Sequence, residues 1–174
     1  MASKPPASAA KGAAAGAAAM LAVATGFVAG WEGLRTDPYR DSVGVLTVCI
    51  GETNVPMRSY TEAECHQMFG ESFMRYANEV KRLSPGIEES PFEWAAHSSL
   101  TYNIGSGAYS RSTVRRLFNE GRRVEACRAF SMWNKAGGRE LRGLTYRRNG
   151  EGKRIGEREL CLAGAVPVDL EKAK

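Results

Sequence analysis

The sequence predicts an α+β fold, mostly α, with one small β-hairpin after the first helix and helices filling the C-terminal part of the chain. Three observations carry this. Thr61-Glu62-Ala63-Glu64 and Ser90-Pro91-Phe92-Glu93 are helix-opening capping boxes, the second with proline at the first helical position. Val45-Leu46-Thr47-Val48-Cys49-Ile50 is a β-branched run bounded by turn formers. Ahead of it, residues 12–31 are uncharged and rich in Ala and Gly.

Taken in order, residues 1–11, rich in Ser, Ala, Pro and Lys, read as a disordered tail. A helix is expected from about Ala17 to Gly33, broken at Asp37-Pro38 because the residue before proline avoids the α region. Tyr39-Arg40-Asp41, a turn around Ser42-Val43-Gly44 and the β-branched run make the hairpin, ended by Gly51 and Pro56. The first capping box opens a helix to about Leu83, with Ala63, Met68, Phe73, Met74 and Val80 on or near one face. Ser84-Pro85-Gly86 stops it. The second box opens a helix to about Tyr102. "NIGSGAYSRST" reads as a Gly/Ser loop, followed by short helices near 113–119 and 122–132. "NKAGGRE" is another loop, and a basic helix closes the chain from about Leu141 to Leu162. No internal repeat interrupts this order.

A chain of 174 residues fits one domain of ordinary size, able to bury a core without staples. The net charge is +5 and the pI about 9.2. Lys4 and Lys11 precede the apolar run, leaving 22 basic against 19 acidic residues mixed along the body. Nucleic acid demands a denser basic stripe. A mild excess suits a polyanionic surface such as cell wall or anionic lipid. The four cysteines, Cys49, Cys65, Cys127 and Cys161, form no Cys-x-x-Cys pair and no Cys/His cluster of zinc spacing, so no metal site is expected. Buried thiols in a cytosolic protein and disulfides in an oxidising compartment both fit that count, and the N-terminus has to decide between them.

Twenty uncharged residues lie between Lys11 and Glu32, about the length that spans a bilayer as a helix. The two lysines ahead would hold the N-terminus in the cytoplasm. Only Met20, Leu21, Val23, Phe27, Val28 and Trp31 are strongly apolar, so the free energy of transfer into lipid is marginal. Ala22-Val23-Ala24 offers a small-x-small cleavage site. The residues alone leave four readings open: a cleaved signal, a permanent anchor, a segment that enters the membrane and later leaves it, or the first helix of a cytosolic protein.

The chemistry concentrates just beyond. Glu32 follows Trp31 at the end of the uncharged helix, where apolar surface disfavours the charged carboxylate and suits a general acid. Nine residues on, Asp41 sits at a polar turn where a carboxylate stays ionised. Thr47, on the returning strand, can face Asp41 across the hairpin and position a water. Two carboxylates in contrasting environments are the minimal apparatus for glycoside hydrolysis. Elsewhere the signals are weaker. His66 and His97 lack a catalytic partner pattern and read as helix-surface or core residues. Asn103 and Ser106 in the Gly-rich loop, and Asn134 beside Trp133, could hydrogen-bond sugar. Arg147 and Arg148 read as structural or surface charges.

"WEGLRTDPYRDSVGVLTVCIGET", "YTEAECHQMF", "YNIGSGAYSRSTVRRLFNEG", "ACRAFSMWNKAGG", "RGLTYRR" and "RELCL", in this order over roughly residues 27–163, resemble the phage-type lysozymes, the muramidase endolysins of glycoside hydrolase family 24. The resemblance implies a lysozyme-like fold with a helical C-terminal lobe. It implies Glu32 as catalytic acid, Asp41 as the carboxylate that stabilises positive charge or serves as base, and Thr47 as the residue orienting the attacking water. The substrate implied is the β-1,4 bond between N-acetylmuramic acid and N-acetylglucosamine in peptidoglycan, cut without cofactor or metal. Two departures stand out. Gly51-Glu52-Thr53 replaces the family's common Gly-His-Thr, and "NGEGKRIG" is longer than the usual spacing, its glycines pointing to a bent or interrupted last helix.

The apolar run resembles the signal-anchor-release type of this family. That implies residues 1–11 as a cytoplasmic tail, 12–31 as an inner-membrane segment that becomes the first helix, and 32–174 as a catalytic domain in the periplasm. The released form is expected to be a soluble monomer. A periplasmic body admits disulfides, and Cys127–Cys161, between two late helices, is the pairing expected of the three possible. Two rivals remain: a lytic transglycosylase cutting the same bond without water, and a non-catalytic membrane-disrupting or wall-binding protein.

Overall fold

Glu93 through Thr101 are buried without a break, the mark of a helix contacted on every side. This central helix, α3 below, organises the molecule. The structure, a computed structural model, describes residues 7–41 and 44–166, with side chains from residue 14 onward and without that of Glu32. In chain order, helix α1 spans Ala7–Glu32, strands β1 and β2 Arg35–Arg40 and Leu46–Cys49, and helix α2 Glu62–Leu83. Then come α3 (Pro91–Ile104), α4 (Ser106–Ser110), α5 (Thr113–Asn119) and α6 (Arg123–Arg128). A two-residue ladder of β3 (Lys135–Ala136) and β4 (Arg139–Glu140) precedes α7 (Arg142–Asn149) and α8 (Glu157–Ala165). Helices α1, α2 and α8 pack around α3.

Helix α1 presents Met20, Ala24, Phe27 and Val28 to this core, at helical spacing on one face. It begins at Ala7, so the tail expected over residues 1–11 is helical from there on; residues 1–6 lie outside the described residues. Helix α2 opens at Thr61 with the expected box, the Thr61 hydroxyl accepting from Glu64 N–H and the Glu64 carboxylate accepting from Thr61 N–H. Its buried face is Cys65, Phe69, Ser72, Phe73, Ala77 and Val80; Ala63, expected on or near that face, is exposed. Ser90 caps α3 as expected, but the Glu93 carboxylate turns away to the Arg123 guanidinium, so the second box is only half formed.

Three sequence expectations are corrected, and the interruption expected in the last helix is found. "NIGSGAYSRST" is the end of α3 followed by the one-and-a-half-turn helix α4, with Gly105 at φ 83° making the joint. "NKAGGRE" holds a second antiparallel ladder, so the described residues contain two small β ladders. The short helix near 122–132 is α6 with a final 3-10 turn over Ala129–Met132. The last helix is two, α7 and α8, separated by residues 150–156. A Cβ on Gly156 would lie 2.3 Å from the Gly150 nitrogen and 2.5 Å from the Arg148 carbonyl oxygen, so only glycine permits this reversal.

Two disulfides join Cys127 to Cys161 and Cys49 to Cys65. The first, between α6 and α8, lies in the main core. The second ties β2 to α2 inside a separate small cluster whose buried members are Val48, Cys49 and Cys65.

Candidate active site

Helix α1 ends at Glu32 because Gly33 turns left-handed at φ 73°, its N–H closing the last turn on the Ala29 carbonyl. Two residues later the chain is already in β1, so the backbone of Glu32 is held beside the hairpin by a minimal connection. The Glu32 side chain lies outside the described residues. Its neighbour Trp31 is clamped from the far end of the chain. The indole N–H donates to the Ile155 carbonyl at 3.2 Å, and the Arg154 guanidinium sits 5.1 Å from the ring centroid. The loop that makes the last helix discontinuous is thus a brace for the end of α1.

The hairpin positions the other two predicted residues. Tyr39 pairs with Thr47 and Arg40 with Leu46, while the register shifts between Arg35 and Tyr39. Pro38 lies in that irregularity, where a residue without an N–H costs no ladder bond. Asp41 closes the turn: its N–H donates to the Val45 carbonyl at 2.9 Å, and its carboxylate accepts the Val45 N–H at 2.8 Å. Ser42 and Val43, at the centre of the expected turn, lie outside the described residues. The Thr47 hydroxyl donates to the same Val45 carbonyl at 3.1 Å. Asp41 and Thr47 are therefore two register steps apart on one face of the ladder, joined through one shared acceptor. Thr47 is 3% exposed, its proton held by that carbonyl and its oxygen still able to accept.

A cavity of about 480 Å³ opens between Trp31, Asn103, Leu141, Tyr146, Arg147 and Glu151. Of the three residues expected to bind sugar, Asn103 lines it, with its side-chain carbonyl accepting from Arg148. Ser106 begins α4 and Asn134 ties its amide to the Thr145 hydroxyl at 3.4 Å; neither lines this cavity. Sequence reasoning did not assign Arg147 to the cleft. It lines the wall while its guanidinium donates to Glu157 at 3.2 Å and to Ser99 at 3.3 Å. Arg148, fully buried, donates to Glu157, to Asn103 and to the Trp133 carbonyl at 3.0 Å. Two guanidiniums share one buried carboxylate in the wall behind Asn103. The adjacent Arg pair was the only sequence signal for this network.

His97 faces the core, its Nδ1 2.8 Å from the Tyr109 hydroxyl, which lies 2.8 Å from the Ser84 hydroxyl. His66 is exposed on α2. Both of the roles expected for these histidines are thus found, one each.

A helix ending at a bulged two-stranded hairpin and followed by a helical lobe is a lysozyme-like arrangement. Residues 29–151 match the family described as phage lysozyme. The chain belongs to that family. A SAR-endolysin of Bacteriophage PS119 is 37% identical over 152 residues, covering 84% of this chain and 86% of its own. The endolysin from Escherichia coli O157:H7 phage FAHEc1 superposes with a TM-score of 0.69 at 25% identity, over 80% of this chain and 90% of its own. The active form of P1 phage endolysin Lyz shares the fold, with a TM-score of 0.70 at 23% identity over 87% and 96% of the two chains.

Proposed function

We propose that this chain is a muramidase endolysin that lyses its bacterial host by hydrolysing the β-1,4 bond between N-acetylmuramic acid and N-acetylglucosamine. Glu32 donates its proton to the glycosidic oxygen as the bond to the sugar's anomeric carbon breaks. Asp41 stabilises the positive charge that develops there or takes a proton from the attacking water, which Thr47 orients. The observation that carries this reading is the Val45 carbonyl shared by the Asp41 N–H and the Thr47 hydroxyl, on a hairpin that starts directly after Glu32. It holds a carboxylate and a water-positioning hydroxyl in one rigid unit.

The same reading covers residues 12–31. They first cross the inner membrane with the N-terminus in the cytoplasm, holding the enzyme inactive, then leave the bilayer and pack as α1. Two properties of α1 support this. Ala14–Trp31 has a mean hydropathy of 1.6 and is long enough to cross a bilayer. Its exposed positions, Ala14, Ala15, Ala18, Ala19, Ala22, Gly26 and Gly30, are all Ala or Gly, so leaving lipid wets little apolar surface. Two disulfides fit a periplasmic body.

Expression of Glu32→Gln at equal level tests the catalytic part. The expected result is loss of lysis with the protein still reaching the periplasm; undiminished lysis would favour membrane disruption instead. Fractionation tests the other part, with an uncleaved chain moving from membrane to soluble periplasm on depolarisation. A mature N-terminus near Thr25 would replace release by cleavage.

A further inference from the structure

Trp31 lines two concavities: an apolar one of about 460 Å³ shared with Phe27, Phe92, Ile155 and Leu160, and the Asn103 cleft. A half-buried indole bordered by two open spaces is not held by close packing alone. The segment between α7 and α8 holds it, through the Ile155 carbonyl and the Arg154 guanidinium. The same guanidinium donates to the Gly30 carbonyl at 3.4 Å. That carbonyl lies in the last turn of α1, where its helical donor would be the N–H of residue 34, beyond the helix end. A cation at this place also faces the negative end of the helix dipole.

The clamping segment is itself fixed. Glu151 N–H donates to the Arg154 carbonyl at 2.9 Å and Arg154 N–H returns to the Glu151 carbonyl at 3.0 Å, closing its tip. The Arg154 guanidinium lies 3.8 Å from the Glu151 carboxylate. At its base a Cβ on Gly150 would lie 2.8 Å from the Arg154 carbonyl oxygen, so the chain crosses itself closely there. Gly156 then leads into Glu157, buried against the Arg147 and Arg148 guanidiniums. A continuous path of fixed groups therefore runs from Glu157 through Gly156 and Arg154 to Gly30 and Trp31, and the next residue is Glu32. The Arg154 side chain itself is 56% exposed, so the core does not rest on it.

Resting on the muramidase reading, we propose that Arg154 is a positioning residue for the proposed general acid. It fixes the last turn of α1, and so sets where the backbone of Glu32 stands relative to the hairpin that carries Asp41 and Thr47. A misplacement of about 1 Å at a reacting group can cost roughly a hundredfold in rate. Loosening the helix end therefore acts on the chemical step and leaves binding of the glycan nearly unchanged.

The test uses the full chain on purified peptidoglycan, with reducing ends released as the measure of activity. Arg154→Ala, Arg154→Lys and Lys153→Ala are compared with wild type, with thermal midpoints recorded and hydrogen exchange followed over residues 27–34. Arg154→Ala is expected to lower kcat about tenfold with KM within about twofold, and to speed exchange in that segment. Arg154→Lys keeps a cation and a donor and should recover part of the loss. Lys153→Ala removes the same charge from the same segment and should change neither kcat nor exchange. An unchanged kcat in Arg154→Ala would overturn the proposal. So would a rise in KM alone, or a loss shared by Lys153→Ala, since either would make the segment a charged contact for substrate. A lower kcat with unchanged exchange would also overturn it, because Arg154 would then act without moving the helix end. A wild-type chain that releases no reducing ends would overturn the muramidase reading instead, and the exchange rates would still decide whether Arg154 holds the last turn.

Discussion

His97 ties the acid stability of the chain to one buried ring. Burial pushes its pKa down to about 3 from an ordinary value near 6.5. The unfolded chain takes up that proton below about pH 6.5, whereas the folded chain does so only near 3. Stability is therefore full above 6.5 and is lost as the pH falls through that window, at about 1.4 kcal/mol per unit. Urea denaturation at pH 7 and pH 5 should show a drop about 2 kcal/mol larger in wild type than in His97→Gln; equal drops would contradict it. Glu157 gives a second residue-scale prediction. Glu157→Gln leaves Arg147 and Arg148 without their shared carboxylate, and should cost about 3 kcal/mol by equilibrium denaturation with disulfides intact. The two kinds of site residue differ in how far the sequence revealed them. Asp41 and Thr47 were legible because hairpin register fixes which residues share a face. The partners of Asn103 were not, since the contact with Arg148 joins helices that no local pattern relates. Its side-chain carbonyl accepts from Arg148.

On the proposed release from the membrane, helix α1 would meet two solvents in succession, and its two faces would divide the task. The large residues Met20, Phe27 and Val28 face the core, and Ala and Gly face outward. A Cβ added at Gly26 or Gly30 meets nothing within 4 Å, so Gly26→Leu with Gly30→Leu should leave the fold intact while adding apolar area worth roughly 2 kcal/mol or more per residue in lipid. The double variant should stay in the membrane pellet and fail to lyse, yet be active once extracted in mild detergent. Release at the wild-type rate would contradict the proposed division. Among the elements, those with caps, proline breaks or β-branched runs were legible: α2, α3 and the first hairpin appear nearly where expected. The five-residue helix α4 and the two-residue ladder of β3 and β4 were not, because structures so short are set by what they pack against. The interruption between α7 and α8 was legible as three glycines. Its use as a clamp on Trp31 depends on a contact across most of the chain.

Across the whole molecule, the disulfides divide by the cores they serve. Cys127–Cys161 joins two helices within the large cluster around α3, whereas Cys49–Cys65 supplies two of the three buried members of the hairpin lobe's cluster. Removing the first by Cys127→Ser with Cys161→Ser should lower global stability by about 3 kcal/mol with little change in kcat. Removing the second by Cys49→Ser with Cys65→Ser should loosen the lobe that carries Asp41 and Thr47, lowering kcat before the helical core melts. Activity and far-UV unfolding curves of the two pairs separate these effects, and the same loss of kcat in both would contradict the division. The proposed activity needs a carboxyl group at the end of α1 and a carboxylate at the turn of the hairpin to hydrolyse one glycosidic bond between them. Mass spectrometry of the muropeptides released from purified peptidoglycan tests it most directly. Reducing N-acetylmuramic acid ends are expected with wild type and none with Glu32→Gln; 1,6-anhydro ends, or reducing ends undiminished in the variant, would contradict hydrolysis by this pair.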